Sequence, residues 1–277
     1  YRVDDVLRHP LDPLWQRSLT PKQLSQTNRL QGYIEIKDLA FGYSPLDPPL
    51  LENIHLSITP GESIALVGPS GCGKSTLIKL IGRLLTPRKG DILLDGIPLQ
   101  QYSAEVLTRS IAIVEQVPYL FDDSIQQNLS LMEAMPDQKA LIQAAQDACI
   151  HEEIMSRPGG YQSLIEREGG NFSGGQRQRL EIACALYRNP SILVLDEATS
   201  AVDSLTEKQI FDNIRRRGRT CLIVTHRLSS IRDCDKIIVM DKGKIVQQGT
   251  HQELLEQPGL YQSLVYADEL AEDVEIV

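Results

Sequence analysis

The sequence predicts an α/β protein, a mainly parallel sheet carrying helices and broken by a helical insertion. Three observations point there. Short apolar runs, mostly β-branched, lack the alternation of a half-solvated strand: Ser63–Val67, Ile92–Leu94, Ile111–Val114, Ile192–Leu195, Leu222–Val224 and Ile237–Met240. Strands covered on both faces read this way. Helical patterns lie between several of them, the order that builds a parallel sheet. A glycine-rich stretch, Gly68 to Ser75, stands where one such strand passes into a helix.

Taken in order, residues 1–30 read as a connector, because Pro10, Pro13 and Pro21 interrupt any periodicity. Tyr1 is not an initiator Met, so a fragment of a longer chain is expected. From Tyr33 to Leu39 an imperfect period of two suggests an edge or half-buried strand. A loop with Pro45, Pro48 and Pro49 follows, then a strand over Leu50–Ile58 closed by the turn Pro60-Gly61. After the glycine stretch a helix is expected to about Leu85. The block from Pro118 to Arg188 breaks the strand–helix alternation. Within it, Gln138–Cys149 and Ser173–Leu186 are expected helices. The end, Ala267–Val277, carries five acids and no base and reads as a frayed, solvated tail.

Composition narrows the function. Of 277 residues, 28 are Lys or Arg and 37 Asp or Glu, a net charge of −9 that argues against a nucleic-acid partner. The cluster Arg215, Arg216, Arg217 and Arg219 is either a helix end favoured by the dipole or a phosphate-binding patch. The longest all-apolar run, Ile182 to Tyr187, is far shorter than the roughly 20 residues of a membrane span. No secretory leader is visible. Five cysteines, an odd number without a C-x-x-C pair, suggest reduced thiols in the cytosol.

Gly68-Pro69-Ser70-Gly71-Cys72-Gly73-Lys74-Ser75, with Thr76 following, fits G-x-x-x-x-G-K-[ST]. The glycines let successive N–H groups point inward, and the next helix N-terminus completes an anion cradle. Lys74 places a charge on the β- and γ-phosphates, and Ser75 offers a hydroxyl to Mg²⁺. Cys72 is expected to serve through its backbone, with a thiol that ATP protects from alkylation. Ile192–Leu195 runs into Asp196 and Glu197. At the carboxyl end of a parallel strand, Asp196 is placed to hold Mg²⁺ and Glu197 to face an attacking water. The alternative is an acid pair at a helix start.

Asn171-Phe172-Ser173-Gly174-Gly175-Gln176-Arg177-Gln178 resembles the signature motif of ABC-type ATPases, usually L-S-G-G-Q, with Phe172 in place of Leu. Further segments are similar to that family. Phe41-Gly42-Tyr43 resembles its adenine-stacking loop, with Tyr43 as the ring. Gln116 resembles the Q-loop residue, which touches Mg²⁺ or the water. Ser200 to Asp203 resembles the D-loop, and His226 the H-loop histidine that reaches the γ-phosphate. The resemblance covers about Tyr33 to Leu255. It implies a P-loop NTPase core with a mainly parallel sheet, an N-terminal antiparallel β subdomain and a helical insertion subdomain. An ATPase domain is implied over 31–277, with the core in 31–117 and 189–250, the helical part in 118–188, and a C-terminal helix and tail in 251–277.

The resemblance also implies a function. ATP and Mg²⁺ are bound, and Lys74, Gln116, Glu197 and His226 act on the γ-phosphate and its water. Metal contacts fall to Ser75, Gln116 and Asp196. Ser173, Gly174, Gly175, Gln176 and Asp203 act in trans, in a head-to-tail homodimer. Segments such as Asp196–Ser200 and Thr225–Leu228 resemble exporter versions, and Val3–Leu7 the connector of bacteriocin and peptide exporters. The expected partner is a transmembrane domain of the same polypeptide, contacted near Gln116, Tyr119, Phe121 and Glu168, with the ATPase on the cytoplasmic face. Tyr119 and Phe121 are alternatively core. The other functional reading is a soluble ABC-type ATPase used as a switch.

Overall fold

A computed structural model describes residues 29–44, 46–225 and 227–275; nearly all of the expected connector, with Val3–Leu7, lies outside them. The chain forms β1 (Ile34–Phe41), β2 (Leu51–Ile58), β3 (Ser63–Val67), α1 (Lys74–Ile81), β4 (Lys89–Leu94), β5 (Ile97–Pro98), α2 (Ala104–Ser110) and β6 (Ile111–Val114). Then follow α3 (Ile125–Leu129), α4 (Gln138–Asp147), α5 (His151–Met155), α6 (Gly174–Tyr187), β7 (Ile192–Asp196), α7 (Ser204–Arg216) and β8 (Thr220–Val224). The remainder is β9 (Lys236–Asp241), β10 (Lys244–Gly249), α8 (His251–Glu256) and α9 (Leu260–Glu275).

Six strands make one sheet in the order β10-β9-β3-β8-β7-β6. Every pair in it is parallel except β9 with β10. Alternate residues of the central strands enter two different cores. Ala65, Val67, Leu193, Leu195 and Ile223 face a core shared with α3 to α9. Ile64, Leu66, Ile192, Val194 and Leu222 face a core shared with α1 and a four-stranded antiparallel sheet, β2-β1-β4-β5. Burial on both faces is the reason these strands show no alternation. Each buried Val, Leu or Ile among them contributes about 1.5–3 kcal/mol.

Ile92–Leu94 is the exception among the expected parallel strands, because β4 pairs antiparallel with β1. Only its Ile92 and Leu94 are fully buried. The imperfect alternation of β1 has a physical cause. Asp38 takes φ +47 and the register shifts beside it, so Ile34, Ile36 and Leu39 are all buried despite unequal spacing. Gly90 accommodates the bulge; a Cβ there would lie 2.3 Å from the Lys37 carbonyl oxygen.

Two helices stop earlier than the sequence suggests, each before a residue in the left-handed region. Arg83 (φ +58) follows α1, and Cys149 (φ +54) follows α4. In the other direction, α9 continues to Glu275 through the stretch read as a frayed tail. The arginine cluster sits at the end of α7, where Arg217 pairs with Asp147 at 2.6 Å and Arg215 with Asp212 at 3.4 Å, as the helix-end reading expects. The five cysteines are free thiols. Among the described residues no helix is long and apolar enough to cross a membrane.

Candidate nucleotide site

The glycine loop and the segments at Gln116, Asp196–Glu197 and Thr225 leave the carboxyl ends of four adjacent parallel strands, β3, β6, β7 and β8, while Tyr43 follows β1 of the antiparallel sheet. Gly68, Gly71 and Gly73 after β3 have φ of +147, +78 and +105. At Gly68 and Gly73 a side chain is also excluded by contact. A Cβ on Gly68 would lie 2.1 Å from the Met240 carbonyl oxygen, and one on Gly73 2.4 Å from Leu51 Cδ2. Helices α2, α3, α4, α6, α7 and α8 start from a Ser, Asp or Thr that accepts a backbone N–H. By contrast α1 starts from Gly73 with no side-chain cap, which leaves its first N–H groups to an external anion.

Lys74 is 6% exposed and folds back on its own loop, donating to the carbonyls of Gly68 (2.7 Å) and Pro69 (3.1 Å). Its charge thus lies over the cradle. The Ser75 hydroxyl lies beside the Asp196 carboxylate. Asp196 is 9% exposed, and its Oδ1 is buried with no hydrogen-bond partner. Burial pushes the Asp196 carboxyl up; the Ser75 hydrogen bond opposes this, and the charges of Glu197 and Glu115 add to it. A buried carboxylate oxygen without a partner, beside a hydroxyl and two acids, fits a hard divalent cation. Glu115 is the neighbour that sequence reasoning missed.

Glu197 takes φ +54, a conformation that costs about 1–3 kcal/mol for a non-glycine residue. Its N–H donates to the Val224 carbonyl at 2.9 Å, which joins the ends of β7 and β8. There it lines an open cleft of about 230 Å³ with Leu50, Ser70, Gly71 and Gly73 to Thr76. Tyr43 is 66% exposed, yet anchored by its hydroxyl to Thr76 Oγ1 (3.2 Å) and edge-on to Phe41 at 5.0 Å. An exposed ring fixed beside a phosphate loop is suited to stacking on a base. Cys72 has its thiol beside Lys74 as expected, with Sγ 3.9 Å from Nζ, but it is only 4% exposed, which leaves an alkylating reagent little access. His226 lies outside the described residues. Larger hollows, about 490 and 560 Å³, flank Tyr187 and include none of these loops.

Ser173 to Gln176 and Asp203 form a second cluster. Ser173 caps α6, accepting from Gln176 N at 3.2 Å while Gln176 Oε1 accepts from Ser173 N at 2.9 Å. Asp203 caps α7 through Thr206 N at 3.0 Å. That backbone bond holds the exposed carboxyl below its usual range. Phe172, standing where the motif usually has Leu, is buried under the Arg157 guanidinium, 3.5 Å from the ring centre. Within one chain no hydrogen bond between described residues joins Ser173–Gln176 to the phosphate loop. Gln116 has an exposed side chain and is held by its carbonyl.

Sequence reasoning assigned no role to two buried polar residues that tie these loops together. Gln178, 3% exposed, contacts Gln116, Ser200 and Ala201. Glu207, fully buried, accepts from Thr199 and Ser230, both at 2.5 Å, and pairs with Arg227. The available signal was a Gln on the apolar stripe of α6, four residues before Ile182.

Val117, Tyr119 and Phe121 are exposed at 78%, 73% and 44%, which decides against a core role for the two rings. Tyr119 and Phe121 edge a groove of about 180 Å³ that also contains Glu181. Its Oε2 is buried without a partner, and burial pushes the carboxyl up to about 7. Glu168 lies in the left-handed region and is exposed.

Residues 51–200 match the family model described as ABC transporter. The chain is 44% identical to an ATP-dependent lipid A-core flippase of Saccharophagus degradans over 87% of its own length and 41% of that protein's. It is 42% identical to the alpha-hemolysin translocation ATP-binding protein HlyB of Escherichia coli, over 96% of its length and 37% of that protein's. Among solved structures it is similar to a bacterial Atm1-family ABC exporter with ATP bound, with a TM-score of 0.81 and 36% identity over 86% of this chain and 42% of that one. The chain therefore spans about two fifths of the length of these relatives.

Proposed function

This chain belongs to the ABC transporter family, and we propose that it is the ATP-hydrolysing domain of an exporter, working at the cytoplasmic face of a membrane. The single observation that carries the reading is the cleft in which an uncapped helix start, Lys74 and Glu197 meet, with the Ser75–Asp196 pair and its orphaned Oδ1 alongside. The loop amides of Gly68–Ser75 and Lys74 bind the phosphates of ATP. Tyr43 orients the adenine. Ser75 and Asp196 hold Mg²⁺, which when bound supplies charge neutralisation of the phosphate oxygens. Glu197 orients or deprotonates the attacking water at the γ-phosphate, assisted by Gln116 and His226. The transition state spreads charge over the γ-phosphoryl oxygens, so positioned donors provide most of the acceleration.

The described residues hold no arginine directed at this cleft. In other phosphoryl-transfer enzymes such a group supplies roughly 10³–10⁵ in rate. We assign that role to Ser173–Gln176 and Asp203 of a second copy, in a head-to-tail dimer. Residues 31–277 form the ATPase domain, with 118–188 as its helical part. The exposed Val117–Phe121 strip faces a transmembrane portion of the same polypeptide. The two relatives named above are a lipid A-core flippase and an alpha-hemolysin translocation protein.

The test is steady-state ATPase activity as a function of protein concentration. Turnover per chain is expected to rise with concentration, since each site is completed by a second copy. Glu197→Gln is expected to retain ATP binding, lose about 10²–10⁴ in turnover, and accumulate as an ATP-bound dimer in size-exclusion chromatography. An unchanged rate in that variant removes Glu197 from its role.

A further inference from the structure

Gln178 uses every hydrogen-bonding position of its amide that the surrounding loops can reach. Its Nε2 donates to the Gln116 carbonyl at 3.1 Å and to Ser200 Oγ at 2.9 Å. Its Oε1 accepts from the Ala201 N–H at 2.8 Å. These partners lie 62, 22 and 23 residues away along the chain, so two separate loops, one at Gln116 and one at Ser200–Ala201, converge on one buried side chain. A second contact reinforces the junction. Gly175, one turn before Gln178 on α6, lets the Ala201 carbonyl approach so closely that a Cβ would sit 2.6 Å from that oxygen. Side chains of Glu207 and Arg227 hold the far side of the same segment. Arg227 donates to the Ser200 carbonyl at 3.3 Å and Glu207 accepts from Thr199.

Resting on the functional reading above, we propose that Gln178 is a positioning residue that makes Gln116, the start of α6 and Ser200–Asp203 move as one body, so that events at one ATP site reach the residues that serve the other. The physical reason is the fixed polarity of the amide. Its nitrogen must face two acceptors and its oxygen one donor, so the Gln116 carbonyl cannot shift without drawing on Ser200 and Ala201. In a buried setting an unmade bond leaves a desolvated polar group, which discourages independent movement of any one loop. Gln116 belongs to the site of its own chain. Ser173–Gln176 and Asp203 sit on the elements that Gln178 grips, and they complete the site of the partner copy.

Two substitutions separate the arms of this strut. Gln178→Glu keeps an acceptor for the Ala201 N–H but removes the donors to Gln116 and leaves Ser200 to donate. Gln178→Met removes all three bonds at similar volume. The KM for ATP is expected to stay within about twofold in both, because no atom of Gln178 faces the cleft, while kcat falls roughly 3- to 30-fold. The Hill coefficient for ATP is expected to drop to one in both. Amide hydrogen exchange on the whole chain gives a readout independent of turnover. Without nucleotide, the Ala201 amide stays protected in Gln178→Glu and loses protection in Gln178→Met. Protection gained by residues 199–203 on adding MgATP is expected in the wild type and absent in both variants. Retained kcat, retained cooperativity, or nucleotide-induced protection of 199–203 in Gln178→Glu overturns the proposal. So does a joint change of KM and kcat with a lowered melting temperature, the mark of a merely structural residue. A wild-type chain that fails to hydrolyse ATP overturns the functional reading instead, and the exchange comparison still decides the strut.

Discussion

Replacing Gly175 by Ala and, separately, Gly174 by Ala sets local propensity against tertiary packing within one helical turn. Both glycines open α6. Propensity alone predicts that each change stabilises by about 0.5–1 kcal/mol, since Ala loses less backbone entropy. The structure gives the two positions opposite signs. At Gly174 the nearest neighbour of a new Cβ is the Ala201 methyl at 3.3 Å, which needs to yield only a few tenths of an ångström. At Gly175 the neighbour is the Ala201 carbonyl oxygen at 2.6 Å, a backbone atom whose N–H is already held by Gln178 at 2.8 Å. Forcing it aside costs about 1–3 kcal/mol, in the range for overpacking. Gly175→Ala is therefore expected to end about 1–2 kcal/mol less stable than wild type, and Gly174→Ala at or slightly above it. The gap of about 2 kcal/mol amounts to roughly 4–8 °C in Tm for a domain near this size. Side-by-side thermal melts, with urea midpoints as a check, measure it. If Gly175→Ala melts at or above Gly174→Ala, the packing of Ala201 on α6 is not the determinant argued here.

Two further expectations concern the cleft and the groove. Tyr43→Ala should weaken ATP binding by roughly 5- to 100-fold, the loss of about 1–3 kcal/mol of stacking, while Tyr43→Phe keeps most of it; equal affinities for the two in a fluorescent-nucleotide titration would place the adenine elsewhere. Glu181 is raised from 4.5 to about 7 by burial, so the folded state holds its proton more tightly than the unfolded chain. The stability linked to that proton is complete below about pH 4.5 and is lost as pH rises through about 7. Glu181→Gln carries no such loss, so its Tm relative to wild type should climb between about pH 5 and 7.5, and a pH-independent difference would contradict the burial of this carboxyl.

The phosphate loop was legible because its determinants are local. Positive φ at Gly68, Gly71 and Gly73, and an uncapped helix beginning at Lys74, are properties of a dozen consecutive residues. The same holds for the unalternated central strands. Helix ends were less legible. α1 stops where Arg83 turns left-handed, and the Cβ of an alanine at Gly82 would strike Ile113, 31 positions away. The pairing of Ile92–Leu94 with β1 was hidden for the same reason, as was the bulge at Asp38 that Gly90 makes room for.

Sequence by itself gave away the position of the glycine loop, the strand–helix order and the family, because hydrogen bonds within a few residues and repeated burial patterns write themselves into consecutive positions. Only the tertiary structure decided that Tyr119 and Phe121 face outward, that Cys72 faces inward, and that Asp196 keeps an oxygen without a partner. It also decided that one amide on α6 joins the loop at Gln116 to the loop at Ser200–Ala201. Those facts depend on which surfaces meet after the chain has closed over 20 to 60 residues, and the cost of a buried polar group is set by neighbours that no local window contains.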